Sequence, residues 1–189
     1  MQIAHQEFIL GGQKSGKTRR AEQLAQAWLQ ADAQHQAVYI AAGQAWDEEM
    51  QRRIARHQND RRERVPRMQT CEAPLDVAQA LQHHSQPQTL VVVDCLTMWL
   101  TNWTMPMHAP TDAQAHTRAW QAQRQAMLDA LAQCAGPVVL VGNEIGWGVI
   151  PMGAQVREFV DALGVLNQDV ARVCKRVTLM AAGLPLHLK

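Results

Sequence analysis

The sequence predicts an α/β fold, a mainly parallel sheet with helices on both faces, and three observations carry that expectation. Gly11-Gly12-Gln13-Lys14-Ser15-Gly16-Lys17-Thr18 fits the phosphate-binding pattern G-x-x-x-x-G-K-[ST], between apolar Phe8-Ile9-Leu10 and a strongly helical stretch. Short apolar runs rich in β-branched residues then alternate with stretches of helical periodicity, the pattern of a parallel sheet with crossover helices. Finally, the glycine loop, Asp94 and the Asn143-Glu144 pair each follow an apolar run. They fall at the carboxyl ends of predicted strands, where such sheets bind ligands. With 189 residues and 47% hydrophobic content, the chain has the size of one domain, 1–189, and can bury a substantial core.

After the loop, Ala21, Leu24, Ala25, Trp28 and Leu29 follow the spacing of an amphipathic helix. Ala37-Val38-Tyr39-Ile40-Ala41 reads as a buried strand. A second helix is expected over 47–57, with Asp47, Glu48 and Glu49 in its first turn as the helix dipole favours. Residues 59–70 show little apolar periodicity and contain Pro66, which predicts a loop. Leu75, Ala78 and Leu81 mark a helix over 75–84, and 89–94 is the clearest strand, apolar on both faces and ending in Asp94. Leu96, Trp99, Leu100 and Trp103 make a further helical stripe, and Pro106 and Pro110 place a loop over 104–111. A long helix is expected over 112–134, capped by Asp112 and ended before Gly136-Pro137. A strand over 138–141 leads into a loop with Gly142, Gly146, Gly148 and Gly153; a helix follows over 155–173 and a strand over 177–180. The tail, 186–188, is read as a possible edge strand.

Composition narrows the function. Lys plus Arg number 18 against 17 Asp plus Glu, a net charge of +1, which leaves no electrostatic footprint for nucleic acid or an anionic membrane. Small molecules are the expected partners. Cys71, Cys95, Cys134 and Cys174 form no C-x-x-C pair, which suits ordinary reduced thiols better than a disulfide scaffold or zinc site. The first residues lack the features of a signal peptide and no run of eighteen apolar residues occurs, so a soluble, cytoplasmic protein is expected.

In a loop of this pattern the backbone wraps an anion, the helix behind it presents its positive end, Lys17 reaches the β and γ phosphates, and Thr18 ligates Mg²⁺. Asp94 matches the acid that holds Mg²⁺ from the end of a neighbouring strand; the alternative is a cap for the next helix. Glu144 is a candidate base for a substrate hydroxyl, or a side chain that only hydrogen-bonds its own loop. Met50, Ile54 and His57 are spaced i, i+4, i+7, which puts His57 on the apolar face near the helix end. A lone histidine there is commonly structural. Yet Arg52, Arg53, Arg56, Arg61, Arg62, Arg64 and Arg67 crowd seven guanidinium groups into sixteen residues around it, a setting suited to phosphate. An imidazole attacking an α phosphate would form a phosphoramidate and release pyrophosphate.

These residues together resemble the bifunctional adenosylcobinamide kinase and adenosylcobinamide-phosphate guanylyltransferase family of cobalamin assembly. The likeness spans nearly the whole chain: the loop from Gly11 to Thr18, Tyr39-Ile40-Ala41, the acidic turn 47–50, Arg53-Ile54-Ala55-Arg56-His57, Thr70-Cys71-Glu72, Val93-Asp94-Cys95-Leu96-Thr97, Asn143-Glu144 with Gly146, Gly148 and Pro151, and Arg157 with Asn167-Gln168. The resemblance implies a RecA-like phosphate-loop fold and a homotrimer. It implies ATP- or GTP-dependent phosphorylation of adenosylcobinamide, then GMP transfer from GTP to adenosylcobinamide phosphate through His57, giving adenosyl-GDP-cobinamide. It implies nucleotide contacts from Gly11, Gly12, Gln13, Lys14, Ser15, Gly16, Lys17, Thr18, Ala41, Ala42, Gly43, Gln58, Asn59, Asp60, Glu72 and Asp94, with Mg²⁺ at Thr18 and Asp94. Lys14 stands where the family commonly has arginine, and Ala42 where a hydroxyl residue is usual. The rival readings are a phosphate-loop kinase of another small alcohol, with His57 structural, and a nucleotide-switched ATPase or binding module.

Overall fold

The computed structural model describes residues 2–45, 47–106, 108 and 111–189. Seven strands form one sheet: β1 (Gln6–Gly11), β2 (Gln36–Ala41), β3 (Met68–Glu72), β4 (Thr89–Asp94), β5 (Val138–Val141), β6 (Arg176–Ala181) and β7 (Leu184–His187). Their order across the sheet is β3-β2-β4-β5-β1-β6-β7, with every pair parallel except β6 and β7. The helices are α1 (Lys17–Ala31), α2 (Glu48–Arg64), α3 (Val77–His84), α4 (Leu96–Thr104), α5 (Ala113–Ala132) and α6 (Ala154–Val173).

Both faces are covered, as strands apolar on both sides require. Ala21, Leu24, Ala25 and Leu29 of α1 pack with Ile9, Tyr39, Leu90, Val92 and Val139 on one face, joined by Val65 and Met68. On the other, α3 to α6 bury Leu81, Trp99, Leu100, Leu131, Leu166 and Val170 against Phe8, Ile40, Val91, Val93 and Leu140. Asp112 caps α5 as expected, accepting from the Ala115 N–H at 2.9 Å.

Three boundaries differ from the sequence reading. The second helix does not stop near 57 but runs to Arg64, and the expected loop over 59–70 holds the end of that helix and an edge strand, β3. α2 buries only Arg61 and β3 only Met68, so neither carries an apolar stripe that periodicity could register. The third helix starts at Val77, while Leu75 precedes it and offers its carbonyl to the indoles of Trp99, at 2.9 Å, and Trp103, at 3.4 Å. Part of the loop expected over 104–111 lies outside the described residues. The tail does add an edge strand, slightly earlier than read, through the two-residue turn Ala182-Gly183. Positive φ at both positions, 52° and 80°, is the type I′ geometry that suits a hairpin.

Candidate active site

The glycine loop joins β1 to α1 at the carboxyl edge of the sheet, and its glycines have separate reasons. Gly11 has φ +152°, and a Cβ there would lie 2.5 Å from both the Met180 carbonyl oxygen and Ser15 Oγ. Gly16, at φ +103°, precedes α1 without a side-chain cap and lies against Gly183, whose N–H donates to the Ser15 carbonyl at 3.0 Å. The first-turn amides of α1 therefore meet no capping side chain, the condition under which a helix start can receive an anion. Lys14 is exposed with φ 55°. Gly12 and Gln13 are exposed and Ser15 is half-buried. Lys17 is buried, and its ammonium donates to the Gly12 carbonyl at 2.7 Å. Burial lowers its pKa, partly offset by the negative charge of Asp94.

Thr18, one residue into α1, donates its hydroxyl to Asp94 Oδ2 at 2.8 Å. The alternative role for Asp94, a cap on α4, is not adopted: Cys95 is the N-cap residue and no side chain caps that helix. Asp94 lies opposite Ala41 in the β2–β4 register, and its backbone carbonyl accepts from the Ala42 N–H at 3.2 Å. Ala41 accepts from Ala73 at 3.0 Å, and Ala42 from the buried Asn102 carboxamide at 2.8 Å. Glu72 is exposed at the end of β3, also opposite Ala41. The segment 41–43, Glu72 and Asp94 thus share one edge with the glycine loop.

Beyond β5 the chain is pinned by its backbone. Glu144 N–H donates to the Gly11 carbonyl at 3.1 Å, Asn143 N–H to Thr97 Oγ1 at 2.9 Å, and Asn167 Nδ2 to the Asn143 carbonyl at 3.1 Å. Gly142 is needed here because a Cβ would come within 2.9 Å of the buried Phe8 ring. Farther along, Arg157 donates to the carbonyls of Pro151, at 2.9 Å, and Met152, at 2.6 Å. Two residues of α6 therefore hold the two ends of the glycine-rich loop. The Glu144 carboxylate accepts from the Gly146 N–H at 3.2 Å, the loop contact that one of its two readings expects.

The position of His57 departs from the sequence reading. α2 continues to Arg64, so His57 is mid-helix rather than near an end, and its side chain is exposed while Met50 and Ile54 are half-buried. A structural histidine would be sheltered and bonded within the fold; His57 is open to solvent. α2 stands above the 41–43 segment, with Ile54 Cδ1 at 3.8 Å from the point a Gly43 Cβ would occupy. Gln58 and Asp60 are half-buried beside it and Asn59 is exposed. The crowded arginines divide. Arg52 pairs with Glu48 at 2.9 Å, Arg64 with Glu22 at 2.9 Å, and Arg67 donates to three carbonyls that follow the last turn of α1 or lie in it, Leu29, Ala33 and His35. Arg61 is only 3% exposed. Among the described residues Arg53, Arg56 and Arg62 make no ion pair, and Arg53 and Arg56 precede His57 on α2 by four residues and by one.

Residues 7–188 match the family of cobinamide kinase / cobinamide phosphate guanyltransferase. The chain belongs to that family. It is 42% identical over 183 residues to the bifunctional adenosylcobalamin biosynthesis protein CobP of Pseudomonas aeruginosa, covering 97% of this chain and 96% of the relative. It is 32% identical over 187 residues to the bifunctional adenosylcobalamin biosynthesis protein CobU of Escherichia coli, and equally so to that of Salmonella typhimurium, each covering 96% of this chain and 98% of the relative. Its mostly parallel sheet, helices on both faces and phosphate loop agree with the fold that the resemblance implied. No helix among the described residues is long and apolar enough to cross a membrane.

Asn102, which braces this edge, is not singled out by the sequence, and Thr97 enters only through the resemblance. Thr97 and Asn102 bond only to backbone, and nothing in their spacing announces it. Arg61 is one of the seven arginines whose crowding suits phosphate, whereas in the structure its guanidinium is buried and lies 3.7 Å over the centre of the Tyr39 ring. The signal for Arg61 was there in principle, since a helix with so few apolar residues must dock through something else.

Proposed function

We propose that this protein phosphorylates the hydroxyl of adenosylcobinamide with ATP or GTP and then transfers GMP from GTP to the product, through His57, giving adenosyl-GDP-cobinamide. The observation that carries the reading is the Thr18 hydroxyl held 2.8 Å from Asp94 directly behind the glycine loop, an arrangement made for a nucleotide triphosphate. Two hard oxygen donors, a hydroxyl and a carboxylate, fit Mg²⁺, which keeps most of its shell for phosphate oxygens and water. Bound there, the ion would offset phosphate charge in both reactions.

In the kinase step the glycine-loop amides and Lys17 hold the β and γ phosphates, and Lys17 exchanges its contact with Gly12 for phosphate oxygens. The substrate hydroxyl attacks the γ phosphorus and the nucleoside diphosphate leaves. In the guanylyl step an imidazole nitrogen of His57 attacks the α phosphorus of GTP and pyrophosphate departs. A phosphate oxygen of the phosphorylated corrinoid then displaces the histidine, forming the new phosphoanhydride. Arg53 and Arg56 precede the attacking residue on α2, by four residues and by one, and suit the charge that builds on the α phosphate. Gln58, Asn59, Asp60, Glu72 and the segment 41–43 line the nucleoside side of the same edge. A homotrimer and a cytoplasmic location complete the reading.

Mass spectrometry of adenosylcobinamide incubated with enzyme, Mg²⁺ and GTP tests this directly. Successive gain of a phosphoryl and a guanylyl group is expected. Phosphorylation alone, with no guanylylated corrinoid under any nucleotide, would leave only the rival reading of a simple kinase.

A further inference from the structure

β5 lies between β4, which ends in Asp94, and β1, which ends in the phosphate loop. Val141 has Asp94 as its register partner on one side and Ile9 on the other. The pairing with β1 continues past the end of β5, because Gly142 N–H donates to the Ile9 carbonyl at 3.0 Å and Glu144 N–H to the Gly11 carbonyl at 3.1 Å. The backbone is therefore still extended at Asn143, which stands opposite Gly11, where the loop begins.

In an extended chain successive side chains point to opposite faces of the sheet. Val139 and Val141 face α1, packed with Ala21, Leu24 and Val92, and Asn143 continues that row. Asp94 continues the row of Leu90 and Val92 on the same face and receives the Thr18 hydroxyl there. Gly142 and Glu144 take the other face: a Gly142 Cβ would meet Phe8 and Asn167, and Glu144 turns to the Gly146 N–H. Of the Asn143-Glu144 pair, Asn143 is thus the member that shares a face with Asp94 and α1. Its peptide is held from two helices, the N–H by Thr97 Oγ1 of α4 at 2.9 Å and the carbonyl by Asn167 Nδ2 of α6 at 3.1 Å. Both partners are buried. Its carboxamide, in contrast, is half-buried and hydrogen-bonded to none of the described residues. An asparagine that shapes a turn spends its side chain on neighbouring backbone, and this one does not. A carboxamide brings two N–H donors and no charge, so it can meet a phosphate without competing with a cation for Asp94.

We propose that Asn143 is a catalytic residue of the phosphoryl transfer, its carboxamide N–H donating to an oxygen of the γ phosphate as the substrate hydroxyl attacks. The proposal deepens the kinase reading and rests on it. The amide exchanges no proton: it stabilises charge on the oxygens of the transferring group while the bond to the bridging oxygen of the leaving diphosphate breaks and the bond to the substrate oxygen forms. In the guanylyl step the reacting phosphorus is the α one and the γ phosphate leaves within pyrophosphate, so Asn143 contributes little to it.

The test follows two reactions of one nucleotide in the wild type, Asn143→Ala and Asn143→Asp. GTP labelled at the γ phosphorus reports phosphoryl transfer to adenosylcobinamide, and GTP labelled at the α phosphorus reports the adduct on His57. Removing one preorganised donor lowers kcat by roughly 10²–10³-fold. Asn143→Ala should therefore lose about 10²-fold or more in phosphoryl transfer, with KM for GTP and His57 labelling each within about threefold of the wild type. Because its side chain has no partner within the fold, its melting temperature should stay within about 2 °C. Asn143→Asp keeps the shape, loses the donor and adds a negative charge, so it should be slower still. Phosphoryl transfer by Asn143→Ala within about threefold of the wild type overturns the proposal, and so do equal losses in the two reactions, which would make the asparagine structural. Recovery of the rate in Asn143→Asp would show an acceptor in place of a donor and overturn it as well. A wild type that labels His57 but transfers no phosphoryl group would remove the kinase reading itself, and the proposal with it.

Discussion

Two adjacent glycines of the phosphate loop are expected to respond in opposite ways to the same substitution. Gly11 adopts φ +152°, and an added Cβ would sit 2.5 Å from the Met180 carbonyl, a backbone atom of the neighbouring strand, and 2.5 Å from Ser15 Oγ. The backbone conformation alone costs on the order of 1–3 kcal/mol for a residue other than glycine. Relieving the overlap adds about 1–3 kcal/mol, because β1 and β6 are paired at this point and cannot separate freely. Gly11→Ala should therefore lose about 3 kcal/mol or somewhat more, which for a chain of this size lowers Tm by about 6–12 °C. Gly12 has no atom within 4 Å of its added Cβ and no positive φ. Gly12→Ala should leave Tm unchanged or raise it by about 1–3 °C, through the smaller entropy of the unfolded chain. Thermal unfolding of both variants without nucleotide is the assay. A Gly11→Ala protein melting within about 2 °C of the parent, or a Gly12→Ala protein falling as far, would refute the geometry drawn for the loop.

Other expectations follow from single contacts. Because burial lowers the pKa of Lys17, the folded protein releases that proton before the unfolded chain does, near 10.5. The unfolded state binds more protons in that window, so wild-type stability should rise relative to Lys17→Met as pH climbs toward 10.5; a constant difference in Tm across pH would contradict the burial argument. Glu144→Gln keeps an oxygen for the Gly146 N–H and should retain corrinoid phosphorylation within a few fold. A loss of about 10²-fold or more in kcat would instead make the carboxylate a general base. Arg67→Ala removes donors from the carbonyls of Leu29, Ala33 and His35 at the end of α1 and should cost about 1–2 kcal/mol, or roughly 2–8 °C in Tm. Unchanged melting would mean water replaces the guanidinium there.

The parts of this molecule that were legible in its sequence are those whose burial is apolar or whose geometry demands glycine. β4 and β5 are buried throughout their apolar runs, and α1 buries four of the five residues that its spacing picked out, so periodicity found them. The glycine loop and Asp94 were readable because phosphate chemistry fixes residue type and spacing together. The second half of α2 and the edge strand β3 were not, because they dock through polar atoms. Arg61 is buried against a tyrosine twenty-two residues earlier in the chain, Arg64 reaches Glu22, and Arg67 finishes α1. Partners so distant leave no periodic trace, and Pro66 made the region look more irregular than it is. His57 was found by its neighbours and misplaced by its spacing: the i, i+4, i+7 pattern with Met50 and Ile54 suggested an apolar face, but neither residue is more than half-buried, so that face is shallow. Glu144 is not decided by sequence, since a base and a loop contact ask for the same carboxylate at the same place, and the Gly146 contact is compatible with both.

The central claim is that the phosphate loop serves a nucleotidyl transfer passing through His57 as well as a kinase reaction. Incubation with GTP labelled at the α phosphorus, without corrinoid, tests it most directly. A covalent GMP adduct that is acid-labile, alkali-stable, located at His57 by peptide mapping and absent from His57→Ala is the predicted result. Normal labelling of His57→Ala would contradict the account.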